Sequence, residues 1–145
     1  MKQRRTQPLI LMVDEDPEAC DMYRASFAYE GFRCIQASHE DAVDCARTRQ
    51  PDLIIMDAVM LPEHSGDLVQ RLRHEPATRS IPILIVSEHA LDEHRENAAR
   101  AGADGFFAKP AQPGQLAKEI RRLMARSREG RPPAEKHADD QTLDP

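Results

Sequence analysis

The stretch Pro51-Asp52-Leu53-Ile54-Ile55-Met56-Asp57 decides the fold. Its apolar residues run on without alternating, the pattern of a strand covered on both faces, and the run ends in a carboxylate. A charge at the end of a buried strand needs a reason. Outward from it the chain repeats the design. Leu9-Ile10-Leu11-Met12-Val13 is a second continuous run and stops at Asp14-Glu15-Asp16, Ile81-Pro82-Ile83-Leu84-Ile85-Val86 closes on the hydroxyl of Ser87, and the short run Gly105-Phe106-Phe107-Ala108 leads into Lys109-Pro110. Proline is tolerated at the start of a strand, where Pro82 falls. A less apolar run from Phe32 to Ala37 completes five predicted strands.

Helical patterns separate these runs. Asp16 is a candidate N-cap, Pro17 suits a first helical position and Glu18 is favourable in the first turn. Ala19, Met22, Tyr23, Ser26 and Phe27 recur at three and four and predict the inward face of a first helix, ending at Gly31. Ser38 is a candidate cap for a second helix carrying Ala42, Val43 and Ala46, which stops before Pro51. After Asp57 a loop is expected from Ala58 to Ser65. A helix then runs from about Gly66 to His74 with Leu68, Val69 and Leu72 inward, closed by Pro76. A polar fourth helix spans Leu91 to Ala101 and ends at Gly102. The last helix starts near Pro113 and carries Leu116, Ile120, Leu123 and Met124.

Composition bounds the function. The chain has 145 residues and a net charge of −5, so it holds one domain of about 125 residues and no whole-chain basic field for nucleic acid. Cys20, Cys34 and Cys45 lack metal or redox spacing and read as thiols of a reducing compartment, which predicts a cytoplasmic protein. The apolar run after the basic residues at the N-terminus is too short for a signal peptide or a membrane span. From Arg128 to Pro145 there is hardly an apolar residue, which predicts a disordered tail and no DNA-binding domain. The expected organisation is an N-terminal extension over 1–7, a folded domain over 8–127 and a tail over 128–145.

Five strands alternating with five helices predict an α/β domain, a doubly wound parallel sheet with helices on both faces. Ligands of such sheets sit outside the carboxyl ends of the strands, at the switch in winding. The chemistry-bearing residues fall there: Asp14 and Glu15 after the first strand, Asp57, Ser87 and Lys109 after the third, fourth and fifth. Clustered carboxylates repel unless a cation joins them, and an oxygen site with few ligands suits Mg²⁺ with its own waters. Lys109 and Ser87 could meet a phosphoryl oxygen, and Asp57 could attack phosphorus to form an acyl phosphate.

Four stretches carry a resemblance to a known family. They are Val13-Asp14-Glu15-Asp16-Pro17, Pro51 to Asp57, Pro82 to Ser87, and Ala101-Gly102-Ala103-Asp104-Gly105-Phe106-Phe107-Ala108-Lys109-Pro110. Residues 8 to 126 resemble a response-regulator receiver domain of bacterial two-component signalling. The resemblance implies a flavodoxin-like (βα)5 fold with strand order 2-1-3-4-5. It further implies that Asp57 accepts a phosphoryl group from a phosphohistidine of a sensor histidine kinase or histidine phosphotransfer protein. Mg²⁺ would be held by Asp14, Glu15, Asp57 and the backbone carbonyl of Val59. Ser87 and Phe106 would act as the switch, and a cis peptide before Pro110 would aim Lys109 into the site. The output surface would be helix four with strand five. An unknown protein would dock there, or a homodimer would form through helix four, strand five and helix five.

The sequence departs from the family pattern in three places. Pro62 and Gly66 lie five and nine residues beyond Asp57 where the family has four and eight, so one residue is expected to be absorbed as a bulge near Leu61. Glu88 replaces a small residue beside the acceptor and would modulate phosphoryl entry or water attack. Glu15 replaces the more usual aspartate and lengthens one ligand arm. The six histidines, His39, His64, His74, His89, His94 and His137, show no metal spacing and are expected to be solvated, as are the arginines ending the last helix. The sequence therefore predicts a stand-alone phosphoacceptor switch that is not an enzyme in the ordinary sense. The alternative is a pseudo-receiver used as a phosphorylation-independent interaction module. A Mg²⁺-dependent phosphatase is a third possibility, disfavoured because no cap segment is visible.

Overall fold

The structure, a computed structural model, describes residues 7–57, 62–87, 92–108 and 112–128. The elements are β1 (Leu9–Val13), α1 (Pro17–Tyr29), β2 (Arg33–Ala37), α2 (Ala42–Arg49), β3 (Leu53–Asp57), α3 (Pro62–His74), β4 (Ile83–Ser87), α4 (Asp92–Ala101), β5 (Gly105–Ala108) and α5 (Pro113–Arg128). The five strands form one parallel sheet in the order β2-β1-β3-β4-β5.

Alternation along each strand feeds two separate cores. Leu11, Val13, Ile54, Met56, Ile83 and Ile85 face α2, α3 and α4, where Val43, Ala46, Leu68, Val69 and Leu72 cover them. Ile10, Met12, Leu53, Ile55, Leu84 and Val86 face α1 and α5, meeting Cys20, Phe27, Leu116, Ile120 and Leu123. Every residue of β1 and β4 is buried, which is why these segments read as unbroken apolar runs.

The caps follow the local chemistry. Asp16 Oδ1 accepts the Glu18 N–H at 3.0 Å and Pro17 occupies the first helical position. At the other end of α1, Gly31 takes φ +93°, and the Phe32 N–H returns to the Phe27 carbonyl at 2.7 Å. Phe32 therefore belongs to the helix exit, and β2 begins one residue later than expected. The inward stripe of α1 is Cys20, Tyr23 and Phe27, whereas Met22 is 73% exposed. At about 100° per residue, those three fall within about 60° and Met22 lies about 160° from Cys20.

Other boundaries shift for identifiable reasons. Ser38 Oγ accepts the Asp41 N–H at 3.2 Å, so the serine caps a turn and α2 starts after it, at Ala42. The third helix starts at Pro62, several residues before the expected Gly66, with proline at a first helical position where its missing N–H costs nothing. β4 begins at Ile83, after Pro82, whose carbonyl accepts the Ile54 N–H at 2.9 Å. The N-terminal extension and the tail beyond Arg128 lie, apart from Gln7, outside the described residues.

Candidate functional site

The strand order brings the ends of β1, β3 and β4 side by side. Val13 pairs with Met56 and Asp57 with Val86, so Asp14, Asp57 and Ser87 stand in a row across three neighbouring strands about 4.8 Å apart. Alternation from Met12 and Ile55 assigns Asp14 and Asp57 to the same side of the sheet, the side covered by α1 and α5. Asp14 and Ser87 are buried, and Asp57 is half-buried.

Asp14 is fixed from several directions. Its N–H donates to the Ala37 carbonyl at 3.1 Å, its own carbonyl accepts Gln36 Nε2 at 3.0 Å, and its Oδ1 accepts the Asp16 N–H at 2.9 Å. The charge is felt beneath it. Burial pushes the Cys20 thiol up to about 12, and Asp14 adds to that shift.

Glu15 turns the other way. Its Oε2 accepts the His39 N–H at 2.9 Å and lies 3.4 Å from His39 Nδ1, over the connection between β2 and α2. The His39 N–H, followed by the His39 ring, holds this carboxyl below its ordinary range. The expectation of solvated histidines fails at His39, which is bonded to Glu15 with a ring only 25% exposed. Its Nε2 is buried, with no hydrogen-bond partner among the described residues. Among the described residues, no group of three or more His, Cys, Asp and Glu side chains forms in an arrangement that could hold a metal ion.

Phe106 of β5 is half-buried against the core on the α2, α3 and α4 side of the sheet, and the Arg95 guanidinium of α4 lies over its ring, 4.9 Å from the centroid. Nothing in the sequence pointed to this partner, since helical periodicity ranks Arg95 only as a polar position. The contact of Glu15 with His39 was likewise invisible, because it joins two separate connections across a sheet edge. Val59, Leu61, Glu88, Lys109 and Pro110 lie outside the described residues, and so does the expected bulge. Along α5, Arg121 and Arg122 are exposed as expected, and each also has an acidic neighbour: Arg121 bonds Glu30 at 3.0 Å and lies over Phe32, and Arg122 pairs with Glu119.

A doubly wound sheet in this order, with acids at the ends of β1 and β3 and a hydroxyl at the end of β4, defines a class. The model of the response regulator receiver domain matches residues 10–121, and the chain belongs to that family, the receiver of two-component signalling. A probable transcriptional regulatory protein of Mycobacterium tuberculosis, TcrX, is 31% identical over 130 residues, which are 88% of this chain and 54% of that protein. The chain thus spans about half the length of the curated relatives it matches. Among solved structures, a putative response regulator from Chloroflexus aurantiacus superposes with a TM-score of 0.76 at 26% identity, covering 83% of this chain and 99% of the other. The receiver domain of a Pseudomonas aeruginosa sensor histidine kinase, solved with magnesium coordinated in its active site cleft, gives 0.74 at 25% identity over 83% and 99%.

Proposed function

We propose that this receiver is a phosphoacceptor switch with Asp57 as the acceptor. The observation that carries it is the row of Asp14, Asp57 and Ser87 across the ends of three adjacent strands. Two carboxylates this close on one side of a sheet call for a small hard cation, and one or two carboxylates with retained waters is the usual protein contribution to Mg²⁺. The fit is therefore to Asp14 and Asp57, with the backbone carbonyl of Val59 as the expected third group. Bound Mg²⁺ would supply charge neutralisation for the incoming phosphoryl group.

A carboxylate oxygen of Asp57 attacks phosphorus, the P–N bond to the donor histidine breaks, and the imidazole leaves with its electron pair. The hydroxyl of Ser87 donates to a phosphoryl oxygen, and Lys109, next in sequence after the end of β5, supplies a point charge to another. The donor is a sensor histidine kinase or a histidine phosphotransfer protein. Output follows from repacking of α4 and β5 around Phe106 and is delivered by docking. The transcriptional role that TcrX's name states belongs to that protein, of which the matched stretch is 54%. The free thiols Cys20, Cys34 and Cys45 fit the cytoplasm, and among the described residues no helix is long and apolar enough to cross a membrane.

A second reading, a phosphorylation-independent interaction module, draws on Glu15 being tied to His39. One experiment separates the two. The protein is incubated with Mg²⁺ and a small phosphodonor such as acetyl phosphate, and its intact mass is measured. The acceptor reading expects a gain of one phosphoryl group, absent without Mg²⁺ and absent in Asp57→Asn. No such adduct leaves the interaction module.

A further inference from the structure

We propose that Glu15 is withheld from the metal and serves instead as a clasp. The cation is held by Asp14 and Asp57, while Glu15 fastens the β2–α2 connection to the end of β1. The inference rests on the metal reading above and narrows it for this chain.

The geometry argues it in three steps. β1 lies between β2 and β3, so its end has two sides. Asp57 stands on the β3 side, and His39, two residues past the end of β2, stands on the other. Neighbouring strands are about 4.8 Å apart, so a carboxylate engaged over β2 is roughly two strand spacings from Asp57.

Next, Glu15 is engaged by a group that does not depend on a side chain. The His39 N–H is a backbone donor at 2.9 Å, and a charge-assisted bond of this kind is stronger than one between neutral groups. The ring adds a second contact at 3.4 Å.

Finally, the chain length of glutamate matters. Asp14 turns back on its own loop through the Asp16 N–H, the reach of a short acid. Glu15 has one more methylene and spans to the next connection. The same turn is tied by Ser38 Oγ to the Asp41 N–H and by Gln36 to the Asp14 carbonyl, so the clasp links the segment before α2 to the metal-bearing loop.

The test follows Mg²⁺ titration of the whole chain by ¹H–¹⁵N NMR, with the affinity also measured by calorimetry. Without metal, Glu15→Gln should move the His39 amide resonance toward a weaker hydrogen bond. At saturating Mg²⁺ the wild-type His39 amide should stay in place while resonances at the ends of β1 and β3 move. Glu15→Gln should keep the affinity within about threefold, whereas Asp14→Asn should lower it at least tenfold. A tenfold loss in Glu15→Gln, or displacement of the His39 amide in step with Mg²⁺ occupancy, overturns the clasp and makes Glu15 a ligand. Absence of Mg²⁺ binding by the wild type overturns the metal reading itself, a result distinct from either.

Discussion

Arg73 and Asp104 form a buried ion pair, Nη2 to Oδ2 at 2.6 Å, with side chains 11% and 5% exposed. Arg73 lies in the last turn of α3, and its other donors reach the carbonyls of Gly102 at 3.0 Å, Arg79 at 3.0 Å and Ile81 at 2.7 Å. Asp104 Oδ2 also accepts the Ile83 N–H at 2.9 Å. Burial lowers the pKa of the guanidinium and Asp104 opposes that shift. One arginine thus fastens α3, the approach to β4 and the approach to β5.

Arg73→Ala should destabilise the domain by roughly 3–5 kcal/mol, because it leaves a buried carboxylate without its cation. A lower urea midpoint with an unchanged slope measures this. Arg73→Lys should recover only part, since one ammonium cannot reach every acceptor the planar fork serves. The pair sits at the amino ends of β4 and β5, away from Asp57, so the folded fraction of either variant should still be phosphorylated.

Gly31→Ala should cost about 1–2 kcal/mol although open space surrounds the position. No atom lies within 4 Å of an added Cβ there, so the whole cost comes from φ +93°. Gly114, in the first turn of α5, also has open space and no positive φ, and Gly114→Ala should stabilise by up to about 1 kcal/mol. Thermal unfolding of both variants reads the opposite signs.

The Cys20 thiol predicts an alkaline limit. Burial raises its pKa from 9.0 to about 12, and Cys34 rises to about 11 for the same reason. A folded pKa above the unfolded one gives stability that is complete below pH 9.0 and is lost as pH climbs toward 12. Unfolding midpoints should therefore fall above pH 9.0, and Cys20→Ala should flatten that slope while lowering stability at neutral pH. In the native protein at pH 8, iodoacetamide should leave Cys20 unmodified, and modification should follow unfolding.

Arg95 and Phe106 should be coupled by about 0.5–1 kcal/mol, the size of an exposed cation–π contact. A double-mutant cycle of Arg95→Gln and Phe106→Leu, read by urea unfolding, measures the coupling. Strict additivity would show that the guanidinium only rests over the ring.

By itself the sequence determined the sheet. Unbroken apolar runs such as Leu9–Val13 and Ile83–Ser87 are buried on both faces, and burial on both faces requires the two helical layers seen. It also determined which residues stand at the strand ends, because Asp14, Asp57 and Ser87 are polar where each apolar run stops. The tertiary structure alone decided how those ends are used. Periodicity ranks positions but does not aim a side chain, so Met22 read as inward until the arc of Cys20, Tyr23 and Phe27 placed it outside. No run of sequence pointed to the bond that Glu15 Oε2 accepts from the His39 N–H of the β2–α2 connection. Arg73 carried no signal at all, since the four acceptors of its guanidinium are groups that the chain brings together only on folding. Contacts between distant connections depend on the assembled sheet, and no local pattern encodes them.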